Sequence, residues 1–196
     1  SLIPFIAHDE ANRALMGSHM QCQAVPLVKT QAPIVGTGME KEIATAMGWT
    51  VLAEFPGEVL YVDASEVVLK VDAKYQEKAK AWVETANNER VSYQQGNLTY
   101  KLNKFARTSQ STCYNQTPEV QVGDKIKKGD VLIDGPATDH GELALGTNLL
   151  IAYTCFKGLG YEDAIVISDR LVQQDTLSSI QISEHKAKVM DTRLGP

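Results

Sequence analysis

Short apolar runs that alternate with turn residues, at a spacing of roughly 8–12 positions, constrain this chain more than any other feature of its sequence. Runs that predict β-strands occur at 50–63, 66–72, 96–105, 120–136, 149–156, 164–168 and 178–183. The first of them contains Pro56-Gly57, which predicts a hairpin within 50–63. Turns at this spacing favour a barrel or a sandwich over an alternating βαβ sheet, so the predicted fold class is mainly β with short helices.

Two segments have helical character instead. Residues 8–24 predict a helix, because Asp9 and Glu10 suit its positive N-terminal end and Pro26 stops it. Residues 73–89 are rich in helix formers and charge, and predict an exposed helical excursion. The chain therefore divides into an N-terminal helix and connector (1–48), a β-rich part with the excursion (49–160) and an acidic loop with strands (161–196).

The composition argues against several classes of protein. A net charge of −5 disfavours a free-standing, non-specific nucleic-acid binder, which would be basic. The three cysteines are far apart and odd in number, which predicts neither a disulfide framework nor a zinc site. No apolar run is long enough for a membrane span, and the start is not typical of a signal peptide. We expect a cytoplasmic protein, and both ends suggest a piece of a longer chain.

The stretch HDEANR at 8–13 has two interpretations. Asn12 and Arg13 near a helix start suit phosphate binding, because a guanidinium matches phosphate oxygens bidentately and helix N-termini favour anions. The ordinary alternative is capping by the acids, with Arg13 on a solvated face. Spacing alone favours capping.

Glycines and lysines elsewhere also leave two interpretations open. VGTGME at 35–40 is either a phosphate loop or a tight turn, and the turn is favoured because the rest of a dinucleotide fingerprint is missing. The stretch 121–135 is typical of a barrel-sandwich unit, as in biotinyl and lipoyl carriers, but its lysines lack an acceptor frame. Residues that suit either a nucleic-acid backbone or a solvated face are Lys101, Lys104, Arg107, Lys125, Lys127 and Lys128.

A pair of neighbouring acids, Glu162 and Asp163, precedes an apolar run. Mg²⁺ prefers such hard carboxylate oxygens and often shares them with substrate phosphates. Adjacent residues of a strand point to opposite faces, so the two acids act together only if the chain turns there. Gly158 and Gly160 favour such a turn. The ordinary alternative is a polar turn before a strand.

Taken together, long stretches of the chain resemble the beta-subunit family of bacterial DNA-dependent RNA polymerases. The resemblance rests on LIPFIAHDEANRALMG (2–17), QAVPL (23–27), VGTGME (35–40), YVDAS (61–65), NQTPEVQVGDKIKKGDVLIDGP (115–136), TDHGELALGTN (138–148), GYEDAIVISDRLV (160–172) and DTRLGP (191–196). These stretches follow in family order over nearly the whole chain, and 73–95 is its least family-like part.

The resemblance implies the hybrid-binding region of that subunit, up to the start of the flap. Its implied fold is part of a double-psi β-barrel with barrel-sandwich-type β structure. The implied activity is DNA-templated RNA synthesis by nucleotidyl transfer, with the principal Mg²⁺ ligands on the beta-prime subunit. The implied partners are the beta-prime, alpha, omega and sigma subunits, the DNA template, the nascent RNA and nucleoside triphosphates, with no membrane. The isolated chain is expected to be inactive.

The same resemblance assigns roles to residues of the N-terminal helix. Arg13 matches an arginine that reaches the triphosphate of the incoming nucleotide. Asp9, Glu10 and Asn12 match polar neighbours lining that cleft, and Gln23 matches a glutamine that contacts the RNA strand near its growing end.

The acidic pair matches one beside the catalytic centre. Glu162 and Asp163 are thereby implied to be auxiliary catalytic residues, associated with a second, nucleotide-borne Mg²⁺ directly or through water. The chain departs from the usual family residues at Cys22, His19 and 159–160, so no cation contact is carried over to position 22.

Two alternatives stand beside this interpretation. One is a β-rich barrel-sandwich scaffold or carrier module without catalysis of its own. The other is a stand-alone, metal-dependent hydrolase that uses Glu162 and Asp163.

Overall fold

The computed structural model describes residues 1–86, 88–190 and 193, and contains several antiparallel sheets with short helices. The helices are α1 (Ala11–Cys22), α2 (Glu40–Ala46), α3 (Gln76–Ala86) and α4 (Asp169–Gln173), with 3₁₀ turns at Ile6–His8 and Ala73–Tyr75. The strands are β1 (Val51–Leu52), β2 (Gly57–Val62), β3 (Glu66–Val71), β4 (Val91–Gln94), β5 (Asn97–Lys101), β6 (Ala106–Arg107), β7 (Cys113–Tyr114), β8 (Thr117–Pro118), β9 (Lys125–Ile126), β10 (Val131–Asp134), β11 (Thr138–Asp139) and β12 (Glu142–Leu143). The predicted sheets and short helices are confirmed, and no sheet of the described residues closes into a barrel.

The largest sheet has five strands in the order β4-β5-β3-β2-β9. Its central hairpin, β2–β3, turns at Asp63, whose carboxylate accepts hydrogen bonds from the backbone N–H groups of Ser65 and Glu66, both at 2.7 Å, and from the Ser65 hydroxyl. These bonds, led by that of the Ser65 hydroxyl, lower the pKa of Asp63 to about 2. The hairpin is therefore closed by a side chain that imitates a backbone turn.

The hairpin predicted within 50–63 is wrong. β1 pairs with β10, whereas β2 pairs with β3 and β9, so Pro56-Gly57 lies between two different sheets. A side chain at Gly57 would collide with the carbonyl of Lys70 across the β2–β3 pair. The glycine therefore serves close strand approach and not a hairpin turn.

The core lies between the two larger sheets. Alternate residues of β3 and β5 are buried, and they join residues of β2 and β10 in one cluster. Its largest fully buried apolar side chains are Leu69, Leu98, Leu132, Ile133, Val59, Val67 and Val71. The alternation predicted over 96–105 is thus confirmed, and it exists because β5 lies inside its sheet with one face on the core.

Asp134 ends β10 inside this part of the molecule and is only 2% exposed. Its two carboxylate oxygens accept from the Gly141 N–H at 3.0 and 3.2 Å. Burial raises the pKa of Asp134 above its ordinary value, and the nearby carboxylate of Glu119 adds to the shift.

Both predicted helices are confirmed, with shorter bounds. The helix predicted at 8–24 is α1, which begins at Ala11 and continues through Gly17 without a break. The excursion at 73–89 forms a 3₁₀ turn followed by α3, apart from Asn87, which lies outside the described residues. Trp82 of α3 packs edge-on against Phe55, with ring centroids 6.0 Å apart.

The strands predicted at 149–156, 164–168 and 178–183 are wrong. The described residues of these stretches form no strand, and their one bridge joins Gln181 to Thr112. Their side chains suit a sheet, but a strand needs a neighbour that pairs with it along its length. In the described part, only 178–183 has such backbone contacts, where the Ile182 N–H donates to the Ser111 carbonyl at 2.9 Å beside the single bridge. Instead, Leu150 and Tyr153 are almost wholly exposed, and the short helix α4, which the pattern did not predict, follows Ile167.

Candidate functional site

Helix α1 begins with a cap formed by Glu10. One carboxylate oxygen accepts from the Arg13 N–H at 2.9 Å, and the other accepts from the Asn12 side-chain amide at 2.7 Å. These contacts, led by that of Arg13, lower the pKa of Glu10. Asp9 in turn accepts from the Glu10 N–H at 2.8 Å. The predicted capping is therefore present, and Glu10 is hydrogen-bonded to Asp9, Asn12 and Arg13.

Capping leaves the charged end of Arg13 unused. Arg13 is exposed, and its guanidinium contacts only the Met16 sulfur, at 3.6 Å, among the polar groups of the described residues. It forms no ion pair within that part of the chain. An unpaired guanidinium in the first turn of a helix is suited to bind an anion bidentately.

Gln23 lies at the opposite end of the same helix. It is the C-cap of α1, and its N–H donates to the Met20 carbonyl at 3.1 Å. Since Gln23 follows Arg13 by ten positions, the two residues are separated by about 15 Å along the helix axis. The helix therefore presents its two predicted contacts as separate points.

The acids Glu162 and Asp163 lie in a turn, as their joint use requires. Glu162 has a positive φ of 56°, and the Ala164 N–H donates to the Tyr161 carbonyl at 3.3 Å. Both acids are exposed. Their carboxylates are suited to face one solvent-filled space, in contrast to neighbouring residues of a strand.

The two glycines before this turn do not have equal roles. Gly158 has a φ of 74°, a conformation that favours glycine. Gly160 has no positive φ, and a Cβ there would lie 3.8 Å from the Ala164 carbonyl, an ordinary contact. The turn thus depends on Gly158 and on Glu162 itself, and Gly160 is free to carry a side chain.

The structure brings four predicted site residues together and leaves three apart. Asp9, Glu10, Asn12 and Arg13 surround the start of α1, and no hydrogen bond or ion pair among the described residues connects them to the acidic turn. No group of three metal-ligating side chains occurs in that part of the chain. The acidic pair offers the hard oxygens that Mg²⁺ prefers, but would supply only part of its ligands.

The loop VGTGME is filled by its own glutamate. The Glu40 carboxylate accepts from the Thr37 N–H at 2.7 Å, the Gly38 N–H at 2.8 Å and the Thr37 hydroxyl at 3.0 Å. These bonds lower the pKa of Glu40, the Thr37 N–H most of all. The donors that a phosphate would use are therefore occupied. The spacing of Thr37 and Glu40, typical of a capping box, was a signal for this contact, although α2 itself begins at Glu40 with Met39 as its N-cap.

Several of the predicted basic contacts are internal. Lys104 donates to the Gln116 carbonyl at 2.6 Å, and Lys128 pairs with Glu54 at 3.3 Å. Arg107 donates to the Ile182 carbonyl at 3.0 Å and lies 3.8 Å from the Glu184 carboxylate. These contacts favour a structural role for Lys104, Arg107 and Lys128 over contact with a nucleic-acid backbone.

Comparison with known proteins places these features in a class of large polymerase subunits. Residues 52–196 match the family described as RNA polymerase Rpb2, domain 6, and the chain belongs to that family. In the described residues, no helix has the length and apolar character needed to cross a membrane.

The relatives identify the bacterial branch and confirm the resemblance found in the sequence. The chain is 48% identical over 195 residues to DNA-directed RNA polymerase subunit beta of Christiangramia forsetii, covering all of this chain and 14% of the relative. It is 49% identical to the subunit of the same name from Bdellovibrio bacteriovorus, covering 13% of it, and 45% identical to that of Trichormus variabilis, covering 17%. The chain therefore spans a small part of the length of the relatives it matches.

Proposed function

We propose that this chain works as part of a bacterial RNA polymerase beta subunit, beside the catalytic centre, where it binds the incoming nucleotide and the RNA–DNA hybrid in DNA-templated RNA synthesis. The observation that carries the proposal is the exposed, unpaired guanidinium of Arg13 in the first turn of α1, in a chain 45–49% identical to named beta subunits. A guanidinium at a helix start favours binding of an anionic triphosphate, because its charge and the helix N-terminus both attract anions.

In this proposal each residue has a positioning or electrostatic task. Arg13 donates to triphosphate oxygens, while Glu10 keeps the helix start rigid through its cap and Asp9 and Asn12 line the cleft. Gln23 contacts the RNA strand from the far end of the helix. In the reaction the RNA 3′-hydroxyl attacks the α-phosphate and pyrophosphate leaves. A binding surface contributes mainly by holding the nucleotide so that the attacking hydroxyl, the α-phosphate and the leaving pyrophosphate lie in line.

Glu162 and Asp163 form an auxiliary acidic wall in this proposal. Bound Mg²⁺ would neutralise charge on the attacking and leaving oxygens. The two carboxylates would hold the second, nucleotide-borne ion directly or through water, with the principal ligands on the beta-prime subunit. The exposed turn of the pair supports this role, since it leaves both carboxylates free of contacts within the described residues.

The finer architecture belongs to the same proposal. We infer that the sheets are part of a double-psi β-barrel with barrel-sandwich-type structure, completed by other parts of the subunit, and that 1–48, 49–160 and 161–196 are its segments. The partners would be the beta-prime, alpha, omega and sigma subunits, the DNA template and the nascent RNA, in the cytoplasm.

Arg13→Ala in the assembled polymerase tests the proposal. Loss of a charge-assisted phosphate contact should cost about 1.5–3 kcal/mol, so nucleotide KM should rise and kcat/KM should fall roughly 10- to 150-fold. Arg90→Ala, which removes the same charge from the least family-like part of the chain, is the matched control and should leave the kinetics unchanged. Unaltered single-nucleotide addition by Arg13→Ala would contradict the assignment.

Asp163→Ala tests the acidic wall separately. The variant should require more Mg²⁺ for incorporation and for transcript cleavage, because one carboxylate of the pair is lost. A magnesium titration identical to that of the unmodified polymerase would exclude this role. Turnover by the isolated chain, lost in Asp163→Ala, would instead support the hydrolase alternative.

A further inference from the structure

The motif TDHGELALGTN, at 138–148, has no role in the proposed chemistry, yet it holds the segment that leads from the candidate site. That segment is the connector, residues 24–39, which joins α1 to α2. Two side chains of the motif, Asp139 and Asn148, bind its backbone, and they are called the clasp here.

The side chain of Asn148 binds two backbone groups of the connector. Its amide nitrogen donates to the Ala32 carbonyl at 2.9 Å, and its amide oxygen accepts from the Ile34 N–H at 3.2 Å. Its own backbone N–H donates to the Gln31 side-chain oxygen at 3.1 Å. One asparagine thus uses both a donor and an acceptor on the connector backbone, as a neighbouring β-strand would.

Asp139 completes the clasp from a rigid hairpin. Its carboxylate accepts from the Ala32 N–H at 2.7 Å, so both backbone groups of Ala32 are held by the clasp. The β11–β12 hairpin turns at His140 and Gly141, which have φ values of 49° and 77°, the geometry of a tight two-residue turn. The second member of the clasp is therefore fixed to folded structure.

Two further hydrogen bonds beside the clasp also join the connector to the motif. The Gln31 N–H donates to the Gly146 carbonyl at 2.9 Å, and the Thr30 hydroxyl donates to the Thr138 carbonyl at 3.2 Å. The connector from Thr30 to Ile34 is therefore tied to the motif by polar contacts at nearly every residue.

Helix α1 depends on this attachment because it has no core of its own. None of its residues is buried. A cleft of about 280 Å³ is lined by Leu2 and Gln21 together with Gln31 and Asn148. Since no residue of α1 is buried, the connector is an attachment through which the fold can place the helix, and it is also held at Val28, whose N–H donates to the Ser178 carbonyl at 2.9 Å.

From these contacts we infer that Asp139 and Asn148 are positioning residues of the nucleotide site, which act through the connector on α1 and hence on Arg13. The inference rests on the proposed function, because it assumes that Arg13 binds the triphosphate. In this inference Asp139 and Asn148 act on the connector and not on the nucleotide, so their loss should displace the Arg13 contact without changing the chemistry of the reacting atoms.

The test uses the full-length subunit in assembled polymerase. Asn148→Ala removes two hydrogen bonds to the connector backbone, and nucleotide KM should rise about three- to tenfold, with kcat changed less than twofold. Asp139→Ala should behave alike, whereas Asp139→Asn, which keeps an acceptor for the Ala32 N–H, should restore KM to within about twofold of the unmodified value. A KM that rises equally in Asp139→Asn would overturn the assignment.

A double-mutant cycle decides whether the clasp acts through Arg13. If it does, Arg13→Ala with Asn148→Ala should be no worse than Arg13→Ala alone, because the contact being positioned is already absent. Fully additive effects would overturn the inference. Gln31→Ala, which removes the partner of the Asn148 N–H, replaces Asn148→Ala in the cycle if that variant fails to assemble.

The outcomes separate this inference from the proposed function. Clasp variants with unchanged KM, beside an Arg13→Ala that raises it, would overturn the clasp alone. An Arg13→Ala with unchanged KM would overturn the nucleotide assignment, and the clasp inference with it.

Discussion

The stretch 40–144 and its two flanks differ in how they are held. Every buried residue of the described chain lies between Glu40 and Ala144. The flanks, 1–39 and 145–190, contain no buried residue, although the second of them is rich in large apolar side chains. The stretch 40–144 is stabilised by its own core, whereas the two flanks are attached to that stretch by hydrogen bonds.

The candidate chemistry lies entirely in the flanks. Arg13, Gln23, Glu162 and Asp163 are all outside the stretch that contains the core. In the proposed function, rigid placement of these residues would come from contacts such as the clasp and from other parts of the subunit, since the chain spans 13–17% of the length of its relatives. The exposed apolar residues from Leu149 to Ile167 are consistent with burial against such surfaces.

The largest expected effect comes from breaking the core. Leu98→Ala, at a fully buried position, should lower the free energy of unfolding of the chain by about 2–5 kcal/mol, because it leaves a cavity. Leu150→Ala removes the same atoms from a fully exposed side chain and should change it by no more than about 0.5 kcal/mol. Urea unfolding measures both. Equal losses would show that the second flank has a core as well.

A smaller effect is expected where α3 meets the sheet. Trp82→Ala removes a half-buried ring and its edge-on contact with Phe55, and should cost about 1.5–3 kcal/mol. Lys80→Ala, on the exposed face of the same helix, is the control and should be nearly neutral. If Trp82→Ala is also neutral, the excursion is an appendage and not part of the core region.

The same contrast explains what the sequence could predict. The strand at Asn97–Lys101 follows from local periodicity, α1 from the acids at its start and Pro26 after its end, and α3 from its helix-forming composition, all of which the sequence displays directly. The hairpin within 50–63 was wrong because β1 finds its partner in β10, far along the chain, and no local pattern records that pairing. Strand-like stretches in the second flank were wrong because the pattern cannot tell whether a neighbouring strand exists.

The candidate site was less predictable from residues than the fold. Spacing favoured capping for HDEANR, and capping is what Glu10 does. The role proposed for Arg13 rests on the family resemblance, since an unpaired guanidinium can be recognised only once its neighbours are placed. The clasp was missed because Asp139 and Asn148 bind a segment more than 100 positions away.

A pH titration should show opposite signs for two carboxylates of the core region. Burial raises the pKa of Asp134, so the folded chain holds this proton more tightly than the unfolded chain. Protonated Asp134 therefore stabilises the folded chain. This contribution is complete at pH values below the ordinary carboxyl pKa, and it is lost as the pH rises through the raised pKa of Asp134 in the folded chain. In Asp134→Asn this loss should disappear, and unfolding midpoints of the two chains should converge at low pH.

Asp63 provides the comparison for that titration. Its pKa is lowered to about 2, so its contribution is present above the ordinary carboxyl pKa and is lost as pH falls towards 2. Asp63→Asn should therefore lose stability relative to the unmodified chain at neutral pH and match it more closely in acid. The same sign in both variants would contradict the assigned environments.

The smallest expected change is in the acidic turn. Asp163→Ala should alter the free energy of unfolding by no more than about 0.5 kcal/mol, because Asp163 is exposed and accepts no hydrogen bond from the described residues. Asp124→Ala is the matched comparison, since Asp124 is also an exposed acid, but its carboxylate accepts from the Gln121 N–H at 2.7 Å within the core region. That variant should cost about 0.5–1.5 kcal/mol. If Asp163→Ala destabilises the chain as much as Asp124→Ala does, the acidic turn stabilises the fold. An effect of Asp163→Ala on magnesium-dependent incorporation could then no longer be ascribed to a lost metal contact.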